Sequence, residues 1–480
     1  MQPCILGGRK PCSMCQEDIE LEGKIQELQD RRRVLRASMN ANHDPFNFGF
    51  PPEITSHIFS LSMGKEDYEP HYHTLRKLPT QFLLGSVSRW WRQLARSTPQ
   101  LWSTISFSLV KKNTNVLPPL QFINDWLRLS GSLPLTLWIA EDAAIDFPWE
   151  TCREVVDSLN QHSRRWHKVS LHLDKHYFSL FCGTSSPNNL YDLEVRHTGR
   201  SDIDKTPTPH FSMKSRPSPT HLTIYNYRLS AIEVAWGNIK FLTLGTIASR
   251  ECIEAIKLAP LLESCILSEM YDDSVPSGSS ASYSQNIFRH THLQKLAFSH
   301  TYESFTSFID KIELPSLEDL QCELDNYFEV ESLISLLNRS GNRLQRLALL
   351  GGEDLNSLGK LLSHIPSLQK LECELRYDNS TFVVQDLFQN LFSSPPAFLP
   401  KLSSLSLCAF SESFDWDYIS CIYQRPHRKL LSLRVYSVGQ VGIAGVDLAK
   451  ILELVDQGFN IRILEDGEDY LEQFRQGKGA

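Results

Sequence analysis

The chain lacks the signatures that would put it in or across a membrane. Its 480 residues contain no uninterrupted apolar run near the roughly 18 residues that a membrane helix needs. The first twelve carry only Ile5 and Leu6 as a large apolar pair before Gly7, Gly8, Arg9 and Lys10 follow. A secretory signal needs an apolar core of roughly 7–15 residues. These absences predict a cytoplasmic or nuclear protein with no membrane partner. A basic excess is also missing: the net charge is −8 and the pI about 6.1, which argues against a nucleic-acid partner. No Gly-x-x-x-x-Gly-Lys phosphate loop, Gly-x-Ser-x-Gly elbow or His-Glu-x-x-His pair occurs. No catalytic residue and no cofactor is therefore expected. An enzyme could exist only through a site assembled in space.

Cysteine chemistry is similarly thin. The eleven cysteines are odd in number, and Cys265, Cys322 and Cys373 stand where leucine would serve equally well. That is the usage of a small buried hydrophobe in a reducing compartment. Cys12-x-x-Cys15 has no second pair at zinc spacing, with only Cys4 or His43 to recruit, so no metal is expected. His71 and His73, among Glu66, Asp67 and Glu69, read as a solvated loop.

What is present divides the chain into segments. Residues 1–17 read as a flexible tail. Residues 18–44 hold an amphipathic helix with Leu21, Leu28 and Leu35 every seven residues, and Ile25 and Met39 on the alternating core position, interrupted by Asp18 and Arg32. This is either a short coiled coil, capable of self-association through residues 18–39, or a single helix packed on the next domain. A break covers Asn40 to Asn47. Residues 45–108 predict a helical domain. Pro51, Pro52 and Glu53 suit a helix start, and Ile54, Ile58, Phe59 and Leu61 make its apolar stripe. A second helix carries Leu84, Val87, Trp91 and Leu94, and a third, near Thr98 and Pro99, buries Leu101 and Trp102. A polar linker spans 62–80.

Residues 109–164 read as a connection. From 165 to 480 the chain repeats an apolar-x-x-apolar-x-apolar unit, as at Trp166/Val169/Leu171, Leu262/Cys265/Leu267, Leu344/Leu347/Leu349 and Leu430/Leu433/Val435. The period of about 20 to about 34 residues is that of leucine-rich repeats with loop insertions. Each unit is expected to be one strand plus one helix, closed by a polar C-terminal cap. Thr206–Pro219 and Asp272–Gln285 read as surface insertions.

At residues 50–105 the sequence resembles the F-box. Pro51, Glu53, Ile58, Phe59, Leu61, Leu84, Val87, Trp91, Leu94, Pro99, Leu101 and Trp102 match its ordered pattern, with Phe50 in place of the usual leucine. The resemblance covers about a tenth of the chain. With the repeats, it implies a multidomain fold: a small all-α F-box module followed by an α/β leucine-rich-repeat solenoid, with a short N-terminal coiled-coil-like helix. It also implies an adaptor role in an SCF-type cullin-RING ubiquitin ligase. The module would dock to a Skp-type adaptor through Pro51, Ile54, Ile58, Phe59, Leu84, Val87 and Trp91, some of which must be internal core.

A strand residue between, or just after, the last two apolar positions points to the concave face. This gives Tyr225, Gln321, Glu323, Glu372, Glu374 and Tyr436, with His172, Glu194, Arg196, Thr223 and Arg434, as candidates to bind an unknown target protein. Glu323, Glu372 and Glu374 would form either an acidic patch for a basic segment or an ordinary solvated face. The alternative function is a ligase-independent scaffold.

Overall fold

The computed structural model describes residues 12–42, 44–64, 79–109, 120–141, 149–199, 210–272, 287–299, 304–323, 330–351, 358–374, 380–393, 398–410, 415–425, 428–438, 443, 445–465 and 467–476. The chain divides into two units, Met1–His167 and Lys168–Ala480. The linker core at 65–78, both histidines of the 71–73 pair, residues 206–209 of the first expected insertion and 273–285 of the second lie outside the described residues. The described rest of the first insertion is not a plain surface loop, since Phe211–Ser212 pairs as a strand with Ile232–Glu233 and Phe211 and Met213 are buried.

The first unit opens with α1 (Ser13–Asn42), followed by α2 (Pro45–Gly49), α3 (Pro52–Ser62), α4 (Thr80–Val87), α5 (Arg89–Arg96) and a 3-10 turn (Pro99–Trp102). Helix α1 begins five residues before the expected 18, so Cys15 is helical rather than part of a tail. The expected break at 40–47 holds the start of α2. Asp44 accepts the Phe46 N–H at 3.0 Å and Pro45 sits in the first turn, the usual chemistry of a helix start.

The unit then turns to strand and helix. β1 (Thr104–Leu109) pairs in parallel with β2 (Leu135–Glu141), from Thr104 opposite Thr136 to Leu109 opposite Glu141. Helix α6 (Leu120–Leu129) lies between them in sequence, and α7 (Trp149–Gln161) follows β2. A parallel pair needs such a crossover. Ile105, Leu135 and Leu137 are fully buried.

The second unit begins inside β3 (Trp166–Leu173) and continues through β4 (Asp192–His197), β5 (His221–Tyr225), β6 (Phe241–Gly245), β7 (Ser264–Ser268), β8 (Lys295–Ser299), β9 (Asp319–Glu323), β10 (Arg346–Leu350), β11 (Lys370–Glu374), β12 (Ser404–Phe410), β13 (Ser432–Val438) and β14 (Ile461–Glu465). These pair in parallel in chain order, and β15 (Glu468–Asp469) closes the row antiparallel to β14.

Among the described residues the main sheet takes two strands from the first unit and thirteen from the second, almost all parallel, and two further two-stranded pairs, Phe211–Ser212 with Ile232–Glu233 and Phe288–Arg289 with Ile312–Glu313, lie in the connections. This overturns the expected division into an all-α module and a leucine-rich-repeat solenoid starting at 165. Strand and helix already alternate from Thr104, inside the segment read as helical and through the one read as a connection. β1 carries the apolar-x-x-apolar-x-apolar anchor at Trp102/Ile105/Phe107 and β2 a proline-led form of it at Pro134/Leu137/Ile139, so the repeat extends upstream of residue 165. The rule of one helix per strand fails too. The connections from β3 to β6 contain 3-10 turns at Lys175–Leu180, Leu229–Ala231 and Trp236–Asn238. The β5–β6 connection has only fifteen residues, too few to fit a full helix and its turns comfortably. Helices α8 (Ser249–Leu258), α9 (Ser304–Ile309), α10 (Val330–Ser340), α11 (Leu358–Ser363), α12 (Ser380–Ser393), α13 (Asp417–Tyr423) and α14 (Gly445–Asp456) occupy later connections.

A backbone device repeated along the unit holds the parallel register. The carbonyl of the residue just before a strand accepts two N–H groups from the next repeat. Lys240 O takes Glu263 and Ser264, Glu263 O takes Gln294 and Lys295, and the pattern recurs at Gln294, Glu318, Gln345 and Gln369. At the other end, Asn226, Thr246 and Glu269 leave β5, β6 and β7 with φ near +50°, each donating its N–H to the end of the following strand. Within strands one set of side chains is buried, such as Leu320, Cys322, Leu347 and Leu371. Burial pushes the Cys265 and Cys373 thiols up to about 12, so these are packing residues.

Candidate docking and recognition surfaces

Two surfaces collect the residues singled out by sequence. The first belongs to α2–α5. Their core is aromatic: the Phe59 ring lies 4.7 Å from that of Trp91, and Phe46 meets Trp91 edge-on at 5.2 Å. The Trp91 indole donates to the Asp44 carboxylate at 2.6 Å, and the Trp102 indole donates to Ala95 O at 2.7 Å. Each of these two indoles thus has its polar handle satisfied.

This core sorts the seven docking candidates. Phe59 is only 1% exposed and cannot face a partner. Ile58, Leu84 and Trp91 are half-buried, whereas Pro51, Ile54 and Val87 are exposed. Ile54 and Val87 keep 47% and 49% of their surface in water. The structure adds exposed Phe48, Phe50, Leu61 and Leu83, of which Phe48 and Leu83 were not anticipated. Ile54, Ile58 and Leu61 recur at helical spacing on α3, as do Leu83 and Val87 on α4. Asp44 was also missed; the Asp44-Pro45 start signal of α2 pointed to it. Beside these helices, a cavity of about 340 Å³ is walled by Phe82, Trp102, Phe122 and Trp126.

The second surface is the polar face of the parallel strands. Tyr225, Gln321, Glu323, Glu372 and Glu374 are half-buried, and Tyr436 is exposed. They do not form one acidic patch. Arg346 donates to Asp319 at 2.9 Å and to Glu372 at 2.8 Å, so Glu372 is already neutralised. Arg434 and Arg462 share its row, with Ser406 between Glu372 and Arg434, and Leu350 separates Glu323 from Glu374.

A connected polar cluster lies on β3–β7. Glu194 accepts from Ser170 at 2.7 Å, lies 2.9 Å from His172 Nε2 and accepts from Arg196 at 3.3 Å. The Arg196 guanidinium sits 3.8 Å over the Tyr225 ring, and Ser268 donates to the Tyr225 hydroxyl at 3.0 Å. The ring occupies the space above Gly245: a Cβ built there would fall 2.0 Å from it. Burial works against ionising Glu194. The His172 hydrogen bond and charge, the Ser170 hydrogen bond and the Arg196 charge outweigh it and bring the carboxyl down to about 2 from an ordinary 4.5.

A depressed carboxyl stabilises the fold above its unfolded pKa and loses that contribution as pH falls through its folded pKa. Glu194→Gln is therefore expected to lower stability by roughly 2 kcal/mol at neutral pH. The gap from wild type should narrow as pH falls from 4.5 toward 2. Urea unfolding of both proteins at pH 7 and near pH 3 measures this, and a gap independent of pH would rule the account out.

Neither a protein-family model nor a curated protein matches the chain. Among the described residues no helix is long and apolar enough to cross a membrane. No group of three or more His, Cys, Asp or Glu among them is placed to hold a metal ion.

Proposed function

We propose that the chain is a substrate-recognition adaptor of an SCF-type cullin-RING ubiquitin ligase. Helices α3 and α4 dock to a Skp-type adaptor, and the polar face of the parallel strands holds a target protein. The observation that carries this reading is the set of apolar side chains left in water on a small, well-cored helical group. Phe48, Phe50, Ile54, Leu61, Leu83 and Val87 are exposed while Phe59 and Trp91 complete the core. Large apolar groups clustered on so few residues mark a protein interface. The F-box resemblance of Pro51, Glu53, Ile58, Phe59, Trp91 and Trp102 names the class of partner.

The core assignment determines how the reading is tested. A charge at Phe59 would unfold the helices and lose binding for a trivial reason. Aspartate at Ile54 and Val87, both exposed, leaves the core untouched. The double variant is expected to keep the wild-type melting temperature and circular dichroism and to lose at least about 100-fold in affinity for a purified Skp-type adaptor. Failure of the folded wild type to bind would sink the reading and leave the ligase-independent scaffold.

A further inference from the structure

Helix α1 is the longest of the first unit, and its apolar residues are uncovered. Met14, Leu21, Ile25, Leu28, Leu35 and Met39 are each between 50% and 79% exposed. They fall on the a and d positions of a heptad, with Met14, Leu21, Leu28 and Leu35 at d and Ile25 and Met39 at a. The two remaining a positions are Asp18 and Arg32. A lone helix of this kind gains little in water, because most helical stability comes from packing an apolar face.

Charge along the helix is segregated. Glu17, Asp18, Glu20, Glu22, Glu27 and Asp30 crowd the first part, relieved only by Lys24, and Arg31, Arg32, Arg33 and Arg36 crowd the second. Within the helix Arg33 meets Asp30 at 3.0 Å, but among the described residues Asp18, Arg31, Arg32 and Arg36 form no ion pair.

We propose that two copies of this chain associate through α1 as an antiparallel coiled coil. Placing Ile25 against Leu28 of the second copy sets Leu21 against Arg32, Asp18 against Leu35 and Met14 against Met39. Every a and d position from 14 to 39 then has a partner, over about 39 Å of helix. Asp18 and Arg32 of the second copy fall in adjacent layers on opposite helices. Two charges that would each be costly in an apolar seam thereby become an ion pair, and polar groups at a positions set orientation. The acidic part of each helix lies along the arginines of the other. Lys24 is the exception, lying near Arg31 of the second copy. A parallel pair would instead set Asp18 on Asp18, Arg32 on Arg32 and like charges along the full length.

The test is sedimentation equilibrium of the full chain at loading concentrations on the order of 10–100 μM. The wild type is expected to dimerise, and Ile25→Asp with Leu28→Asp to be monomeric with an unchanged melting temperature, since both side chains are exposed. Asp18→Arg and Arg32→Asp alone should each weaken the dimer about tenfold or more. Combined, they restore the pair with its signs exchanged and should return to within about threefold of wild type. In a parallel dimer each single reversal would only exchange one like-charge layer for another and leave affinity unchanged. A wild-type monomer, a dimer that survives Ile25→Asp with Leu28→Asp, or single reversals without effect would each overturn the proposal. It stands independently of the adaptor reading.

Discussion

Phe59→Ala is expected to lower the stability of the first unit by about 3–5 kcal/mol. Phe59 is among the largest fully buried side chains of the chain, and its ring packs on that of Trp91. Trp91 is in turn held by Asp44 and flanked by Phe46. Truncation removes the ring's transfer free energy and leaves a void beneath Trp91 that short, mutually braced helices cannot easily collapse. Ile54→Ala, on an exposed position five residues earlier in the same helix, should change stability by no more than about 0.5 kcal/mol. Thermal unfolding followed by tryptophan fluorescence compares the two. Equal melting temperatures for the two variants would mean that Phe59 is not core and that the docking surface has been drawn wrongly.

Gly245→Val carries the second large effect, a loss of about 3 kcal/mol. The Tyr225 ring lies across β6, under the Arg196 guanidinium and hydrogen-bonded to Ser268 on β7. It can do so only because the residue opposite it in register is a glycine. A side chain at 245 must push the ring out, breaking the stack on Arg196 and the Ser268 bond together. The same valine in a Tyr225→Ala background meets no ring. There it should be nearly neutral, because a β-branched residue suits a strand. The two substitutions are thus expected to couple by more than about 1.5 kcal/mol in a double-mutant cycle. Additive costs would show that the close approach is not what selects glycine. The same row also bears on recognition. Displacing the ring leaves Arg196 beside Glu194 without its aromatic partner, so the shape of the polar face changes along with stability.

Much of the second unit was legible in order. The anchors at Leu222/Ile224, Leu320/Cys322 and Leu371/Cys373 lie in strands with those residues buried, because alternation with period two is local information. The same holds for the heptad of α1, whose leucines and arginines can be placed on a helix from sequence alone. β1 and β2 escaped although they carry the same spacing, at Trp102/Ile105/Phe107 and Pro134/Leu137/Ile139, because Leu101 and Trp102 also fit a short helix and a short apolar run does not by itself separate strand from helix. The acidic patch did not survive for a related reason. Sequence spacing brings Glu323, Glu372 and Glu374 to one face, but not Arg346 between Asp319 and Glu372.

By itself, then, the sequence determined the repeating strands, the polar face between their buried rows, and the charge-divided heptad of α1. These follow from periodicity, which a chain carries residue by residue. Only the tertiary structure decided that Phe59 is core while Ile54 and Val87 face water, that Asp44 holds Trp91 across 47 residues, and that Gly245 makes room for Tyr225. Ile54, Ile58 and Phe59 are interchangeable as apolar residues on one helix. What separates them is which neighbour closes over each, and that neighbour comes from a distant part of the chain.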